Sequence, residues 1–187
     1  MAPHMPAGLT LPLPLSPQLP HSVCVRRLTP QDLPGFQAYR SLPELARFQG
    51  WSPVSDAQAQ RFLEEMSLAP LWQPGQWIQL GIADDQGPGL IGDVGLHLSE
   101  DGLSGEIGFT LSPGAQGRGW ATAAVVACTA LLFQDTSAAC CQAVADSRNL
   151  ASLRVLQRAG FRFRHEAQAV FKGEACVEQT WVLDRPR

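Results

Sequence analysis

The 187-residue chain carries no surplus of positive charge: 14 lysines and arginines face 17 aspartates and glutamates, for a formal net charge of −3. Nothing in that balance advertises a nucleic-acid surface. No apolar run is long enough to span a bilayer; Ala121–Phe133 is too short and too rich in alanine. The five cysteines are odd in number and follow neither disulfide nor zinc spacing, and the four histidines are scattered. No metal site is expected, and the cysteines read as reduced thiols of a cytosolic protein. Tyrosine is nearly absent, Tyr39 being the only one.

The N-terminus lacks the basic start and unbroken apolar stretch of a signal peptide. Met1–His21 instead carries Pro3, Pro6, Pro12, Pro14, Pro17 and Pro20, which remove backbone donors and favour extended conformations. A flexible or polyproline-like arm is expected there. Leu9, Leu11, Leu13 and Leu15 alternate with prolines or polar residues, so the arm can alternatively lie along the domain. Residues 22–187, with the chain's 45% hydrophobic and 17% charged residues, suit one domain with a real core.

Patterning predicts the order β-α-α-β-β-β-α-β-α-β-β, an α/β protein with a mixed sheet. Val23–Leu28 reads as a strand. "TPQDLPGFQAYR" reads as a helix with Thr29 at its cap, and "SDAQAQRFLEEM" as one capped at Ser55 or Asp56. "QWIQLGIAD" and "GLIGDVGLHLS" are strands around a turn at Asp84–Gly89. In the strand "GEIGFTLS", Glu106, Gly108 and Thr110 share one face. An uncharged helix is expected over Arg118–Gln134, then a strand "AACCQAVA" with Cys140 and Cys141 on opposite faces. A helix capped at Asp146 or Ser147 follows, and a terminal hairpin turns at Lys172–Gly173.

The most informative stretch is "SPGAQGRGWATAAVVA", a glycine-rich corner between a strand and an apolar helix. A helix start leaves backbone N–H groups unpaired at the positive end of its dipole, and glycine lets a phosphate approach them. A pyrophosphate-bearing ligand is therefore expected. The corner is not a P-loop, because Trp120 and Ala121 follow Gly119 where Lys-Ser/Thr belongs. Nor is it a good dinucleotide fingerprint, because Thr122 stands at the third glycine position.

Gln116-Gly117-Arg118-Gly119-Trp120-Ala121 matches Gln/Arg-x-x-Gly-x-Gly/Ala and resembles the acetyl-coenzyme A motif of the GNAT acyltransferase superfamily. "NLASLRVLQRAGF" is similar to that family's Asn-x-x-Ser…Gly-Phe helix. "LTPQDLPGFQAYRS" and "ARFQGWSPVSDAQAQRFLEEM" resemble the opening of the branch that holds ribosomal-protein N-terminal acetyltransferases. The likeness runs from about Val23 to Asp184 and implies the GNAT fold with acetyl-CoA as co-substrate.

That resemblance assigns roles. Backbone amides from Gln116 and Gly117 through Ala121 would meet the pyrophosphate, with Arg118 adding charge and Thr122 its hydroxyl. Leu111 and Ser112 would offer backbone groups to the pantetheine arm where the sheet splays, and Asn149 would bond its amide. Glu106 is the candidate base for the acceptor amine, directly or through water, and Ser152 the candidate donor to the departing thiolate. The family's usual tyrosine acid has no counterpart; Ser152, water or Cys141 are the substitutes. His97 and His165 are weaker acid-base candidates. Phe48 and Trp51 would wall the acceptor pocket, with Arg47, Trp72 and Trp77 nearby. The reading is transfer of acetyl to a primary amine of a protein N-terminus, a small molecule or an aminoglycoside-like compound. A non-catalytic CoA-binding sensor or scaffold is the alternative, and a nicotinamide-dependent oxidoreductase fits least. Exposed edges near the C-terminal hairpin suit a homodimer.

Overall fold

A computed structural model describes residues 23–84 and 89–186. The expected N-terminal arm and most of the Asp84–Gly89 turn lie outside them. In chain order the elements are β1 (Val23–Arg27), α1 (Leu33–Arg40), α2 (Pro43–Ala46), α3 (Asp56–Leu68), β2 (Trp77–Asp84), β3 (Leu90–Leu98), β4 (Ser104–Leu111), α4 (Trp120–Asp135), β5 (Cys140–Asp146), α5 (Leu150–Arg158), β6 (Arg162–Phe171) and β7 (Glu174–Asp184). The strands form one mixed sheet in the order β1-β2-β3-β4-β5-β7-β6. Every neighbouring pair is antiparallel except β4–β5.

The order follows the expectation with one addition, the single turn α2. Three helix starts differ. Thr29 caps a short 3-10 turn over Pro30–Asp32, and α1 begins only at Leu33. Pro34 has no N–H for the carbonyl of residue 30, which interrupts a continuous helix. The apolar helix starts at Trp120 because Gly119 adopts a left-handed conformation at its cap (φ 83°). The cap of α5 is Asn149, whose Oδ1 accepts from Ser152 N–H at 3.2 Å. Asp146 is unavailable as a cap: it ends β5, and its carboxylate accepts from the backbone and guanidinium of Arg148 at 2.6–3.2 Å. Ser55 caps α3 in a capping box with Gln58, as the sequence suggests.

Strand alternation gives the sheet two unlike faces. Ile78, Leu80, Ile82, Val94, Leu96 and Ile107 build an aliphatic face that packs with α4 in the main core. The other face carries glycine and polar groups, with register rows Trp77–His97–Glu106, Gln79–Gly95–Gly108 and Gly81–Asp93–Thr110. A smaller apolar cluster of Leu28, Phe36, Tyr39, Ala59, Leu63 and Met66 seats α1 and α3 over that side.

Asp93 pins the helical layer to the sheet. It is 0% exposed. It accepts from Arg40 Nε at 3.1 Å and Nη2 at 2.9 Å, from Gln79 Nε2 at 2.7 Å, and from the Tyr39 hydroxyl. A buried carboxylate so fully paired tolerates its desolvation, whereas losing one partner costs about 3–5 kcal/mol.

Burial, and then the neighbouring Asp93 charge, push the Tyr39 phenol well above its ordinary value of 10.0. The folded state therefore holds a proton that the unfolded chain releases, so this stability is complete below pH 10 and falls as pH rises further. Because Tyr39 is the only tyrosine, a spectrophotometric titration reads it alone. Phenolate absorbance is expected to rise only together with alkaline unfolding measured by circular dichroism. A phenolate titrating near pH 10 in the folded protein would refute this packing.

Candidate active site

The parallel β4–β5 ladder pairs only Ser104–Cys140, Gly105–Cys141 and Glu106–Gln142. Beyond Glu106 and Gln142 the strands part and leave a gap in the sheet. Glu106 stands at its apex, half-buried, accepting from Gln142 Nε2 at 3.2 Å. Antiparallel pairing with β3 sets which backbone groups face the gap. Ser112 N–H donates to the Ile91 carbonyl at 2.8 Å, so by alternation Leu111 and Phe109 turn their peptide groups toward the gap. Two side chains meet these edges: Gln116 Nε2 donates to Leu111 O at 3.1 Å and Gln49 Nε2 to Phe109 O at 3.3 Å. The expectation for Ser112 needs correction, because its N–H is committed to β3 and its carbonyl accepts from Ala115 N–H at 2.9 Å. Leu111 does border the gap.

At the end of β4 lies the glycine corner. Gly117 and Gly119 both have left-handed backbone (φ 78° and 83°), and a Cβ at Gly117 would meet nothing within 4 Å. The ladder of α4 opens with Ala123 N–H donating to the Gly119 carbonyl, so the preceding turn directs its amides outward. The Arg118 guanidinium is exposed, 5.2 Å from the Trp120 ring. Trp120, Ala121 and Thr122 are buried. Thr122 is 3% exposed on the first turn of α4, beside these amides. Open backbone and the positive end of a 16-residue helix suit a diphosphate.

On the polar face a cavity of about 630 Å³ opens beside the gap. Its floor is β4 from Glu106 to Phe109 with Trp77, Gln79 and Gly95; its far side is Val144–Asp146, Phe171, Cys176 and Glu178; its roof is Phe48–Trp51 with Arg40 and Phe62. Gly108 keeps the floor open, since a Cβ there has no neighbour within 4 Å. The Arg40 guanidinium lies 4.4 Å from the Trp51 ring and 4.8 Å from that of Phe36.

A family model described as acetyltransferase (GNAT) domain matches residues 22–162. The chain belongs to the GNAT acetyltransferase family. The solved structure of a GNAT-family acetyltransferase from Bacillus anthracis is similar at a TM-score of 0.77 and 16% identity, covering 87% of this chain and 94% of that one. The RimL ribosomal-protein acetyltransferase in complex with coenzyme A gives 0.75 and 16%, covering 89% and 97%. An aminoglycoside acetyltransferase in complex with coenzyme A gives 0.68 and 21%, covering 88% and 95%. No curated protein matches the sequence significantly.

Within this GNAT acetyltransferase, Phe48, Trp51 and Trp77 line the cavity, as the sequence suggested for that region, and Glu106 lies on its floor. Asn149 and Ser152 meet at the start of α5 through the cap bond, outside the cavity lining. Trp72 falls elsewhere: it packs against the main core and donates to Asp135 at 3.1 Å. Arg47 is a rim residue, 3.7 Å from Glu174. His97 stacks on Trp77 at 5.3 Å, and His165 is exposed on β6 with Thr180 at 3.5 Å. Cys141 is wholly buried in the core and its thiol is pushed far up by desolvation, so it cannot serve as an acid. Tyr39 is likewise sealed against Asp93.

Sequence reasoning missed the supports of this site. Asp93 gave one signal, a lone charge in the middle of an apolar strand. Lys172 gave another, being the chain's one lysine. From the β6–β7 turn its Nζ donates to the carbonyls of Ala46 (2.8 Å) and Trp51 (2.5 Å) and approaches Ser52 Oγ at 3.4 Å. It thereby holds the cavity roof to the other end of the chain. Lys172→Met should release that roof, and trypsin should cut after the exposed Arg47 about tenfold faster, while Lys172→Arg keeps much of the protection. Equal cleavage of wild type and Lys172→Met would show that the roof does not depend on this tie.

Proposed function

We propose that this protein is an N-acetyltransferase that moves acetyl from acetyl-CoA to a primary amine within a ternary complex. The supporting observation is the position of Glu106, at the apex of the β4–β5 gap and on the floor of the cavity. Acetyl-CoA supplies an acyl group activated as a thioester. The amides of Gly117–Ala121 hold its pyrophosphate, Arg118 adds positive charge, and Gln116 and Leu111 border the path of the pantetheine arm. Asn149 reaches that arm from the start of α5 through its remaining amide group, and Ser152 donates a hydrogen bond to the departing thiolate. Phe48 and Trp51 enclose the acceptor. Glu106 takes the ammonium proton, directly or through a water, so that the nitrogen lone pair is free to attack.

Residues 22–187 act in this reading as one catalytic domain, with residues 1–21 as an appended arm, in the cytoplasm. A homodimer through β6 is supported by its exposed edge, where Phe163 is 51% and Val170 74% exposed. The alternative, a non-catalytic CoA-binding sensor or scaffold, draws on the burial of the one tyrosine. Release of CoA over a panel of amines, N-terminal peptides and aminoglycosides separates the two readings.

Glu106→Gln is expected to lower kcat at neutral pH about 100-fold while leaving the Kd for CoA unchanged by calorimetry. Unaltered turnover would remove Glu106 from the chemistry. Gly117→Ala forces a side chain into left-handed backbone and should weaken CoA about tenfold; an unchanged Kd would dissociate the corner from cofactor binding.

A further inference from the structure

The charges around the cavity are mostly cancelled by fixed partners. Arg40 is bonded at two atoms to buried Asp93. Arg148 is bonded at two atoms to Asp146, holding that carboxyl below the usual carboxylate range. Arg47 lies 3.7 Å from Glu174, which is also 3.9 Å from Arg148. Two lining carboxylates remain without a cationic partner among the described residues: Glu106, whose partner is the neutral amide of Gln142, and Glu178, which has no side-chain hydrogen bond or ion pair.

These two stand on the same face of the sheet. Glu106 is in register with Gln142 on β5; Val144 and Asp146 follow on that face by alternation; Asp146 is in register with Glu178 on β7. The carboxylates thus face the cavity from opposite sides of the β4–β5 gap. Between them the surface is apolar, with Val144 below and Trp51 and Phe171 among the walls. A half-buried carboxylate beside aromatic walls favours a cation, and the aromatic faces add to that preference.

Resting on the acetyl-transfer reading above, we propose that Glu178 is a specificity-determining residue that binds a second positive group on the acceptor. The acceptor class is then a di- or polycationic amine: one nitrogen reacts at Glu106, an apolar stem crosses the aromatic region, and a second cation sits at Glu178. Two sources share this chemistry, a small aliphatic polyamine and a peptide N-terminus followed by a basic residue.

The test is calorimetry on the full chain saturated with CoA, using two matched pairs: terminal diaminobutane against butylamine, and a Ser-Lys against a Ser-Met peptide. Wild type should bind the dicationic member of at least one pair about tenfold more tightly, and the preference should shrink as salt is raised. Glu178→Gln should reduce that ratio to near one; Glu178→Asp should retain part of it. Discrimination only in the diamine pair identifies a polyamine, and discrimination only in the peptide pair a basic N-terminus. No preference in wild type, or one that persists in Glu178→Gln, overturns the proposal. Turnover is read separately as CoA release: no release with any amine would refute acetyl transfer while leaving a Glu178-dependent preference intact, and release without that preference would do the reverse.

Discussion

The organisation of this protein depends on where the β4–β5 ladder stops. Three paired residues join the two halves of the sheet, and after Glu106 and Gln142 the strands diverge. An open strand edge is costly when buried, because its peptide groups need partners. Here the edge faces a gap, and glutamines 116 and 49 reach its carbonyls. The same divergence leads β4 toward the glycine corner, exposes its peptide groups to an extended ligand, and brings Glu106 to the junction of gap and cavity. One break in hydrogen bonding thus sets the cofactor path, the base and the acceptor side relative to one another.

The two faces of the sheet divide the work. The aliphatic face and α4 form a close-packed core that holds β4 in place. The opposite face gives up packing for space: Gly108 leaves room where a side chain would fill a core, Gly95 makes way for the Gln79 amide, and polar groups replace methyls. The helical layer above that space needs other anchors. Asp93 supplies one through Tyr39, Arg40 and Gln79, and Lys172 supplies another by tying the terminal hairpin to residues 46–52. Both are charge-assisted contacts between segments distant in sequence. They hold the roof in place while leaving the cavity beneath it open.

Much of the fold was legible because it follows local rules. Alternation in "GEIGFTLS" placed Glu106 and Thr110 on one face, and the uncharged run after Gly119 marked the buried helix. Glycines 117 and 119 marked the corner because their left-handed backbone is a property of the residue itself. The helix starts were less legible. Thr29, Arg118 and Asp146 each looked like a suitable beginning, but Pro34, the backbone of Gly119 and the Arg148–Asp146 pair moved the boundaries by a few residues. Ser112 was legible in position but not in availability, because a partner strand engages its N–H.

By itself the amino-acid sequence determined the order of the elements, the glycine corner at the mouth of α4 and the resemblance that named the family, since each rests on residues close together along the chain. Tertiary structure alone decided that Trp72 joins the core while Trp51 and Trp77 line the cavity, that Tyr39 and Cys141 are sealed from any proton transfer, and that Glu178 faces the same space as Glu106. The physical reason is that burial, charge pairing and access are set by which distant segments meet. Strand register and the β4–β5 divergence decide that here, and no short stretch of sequence contains either.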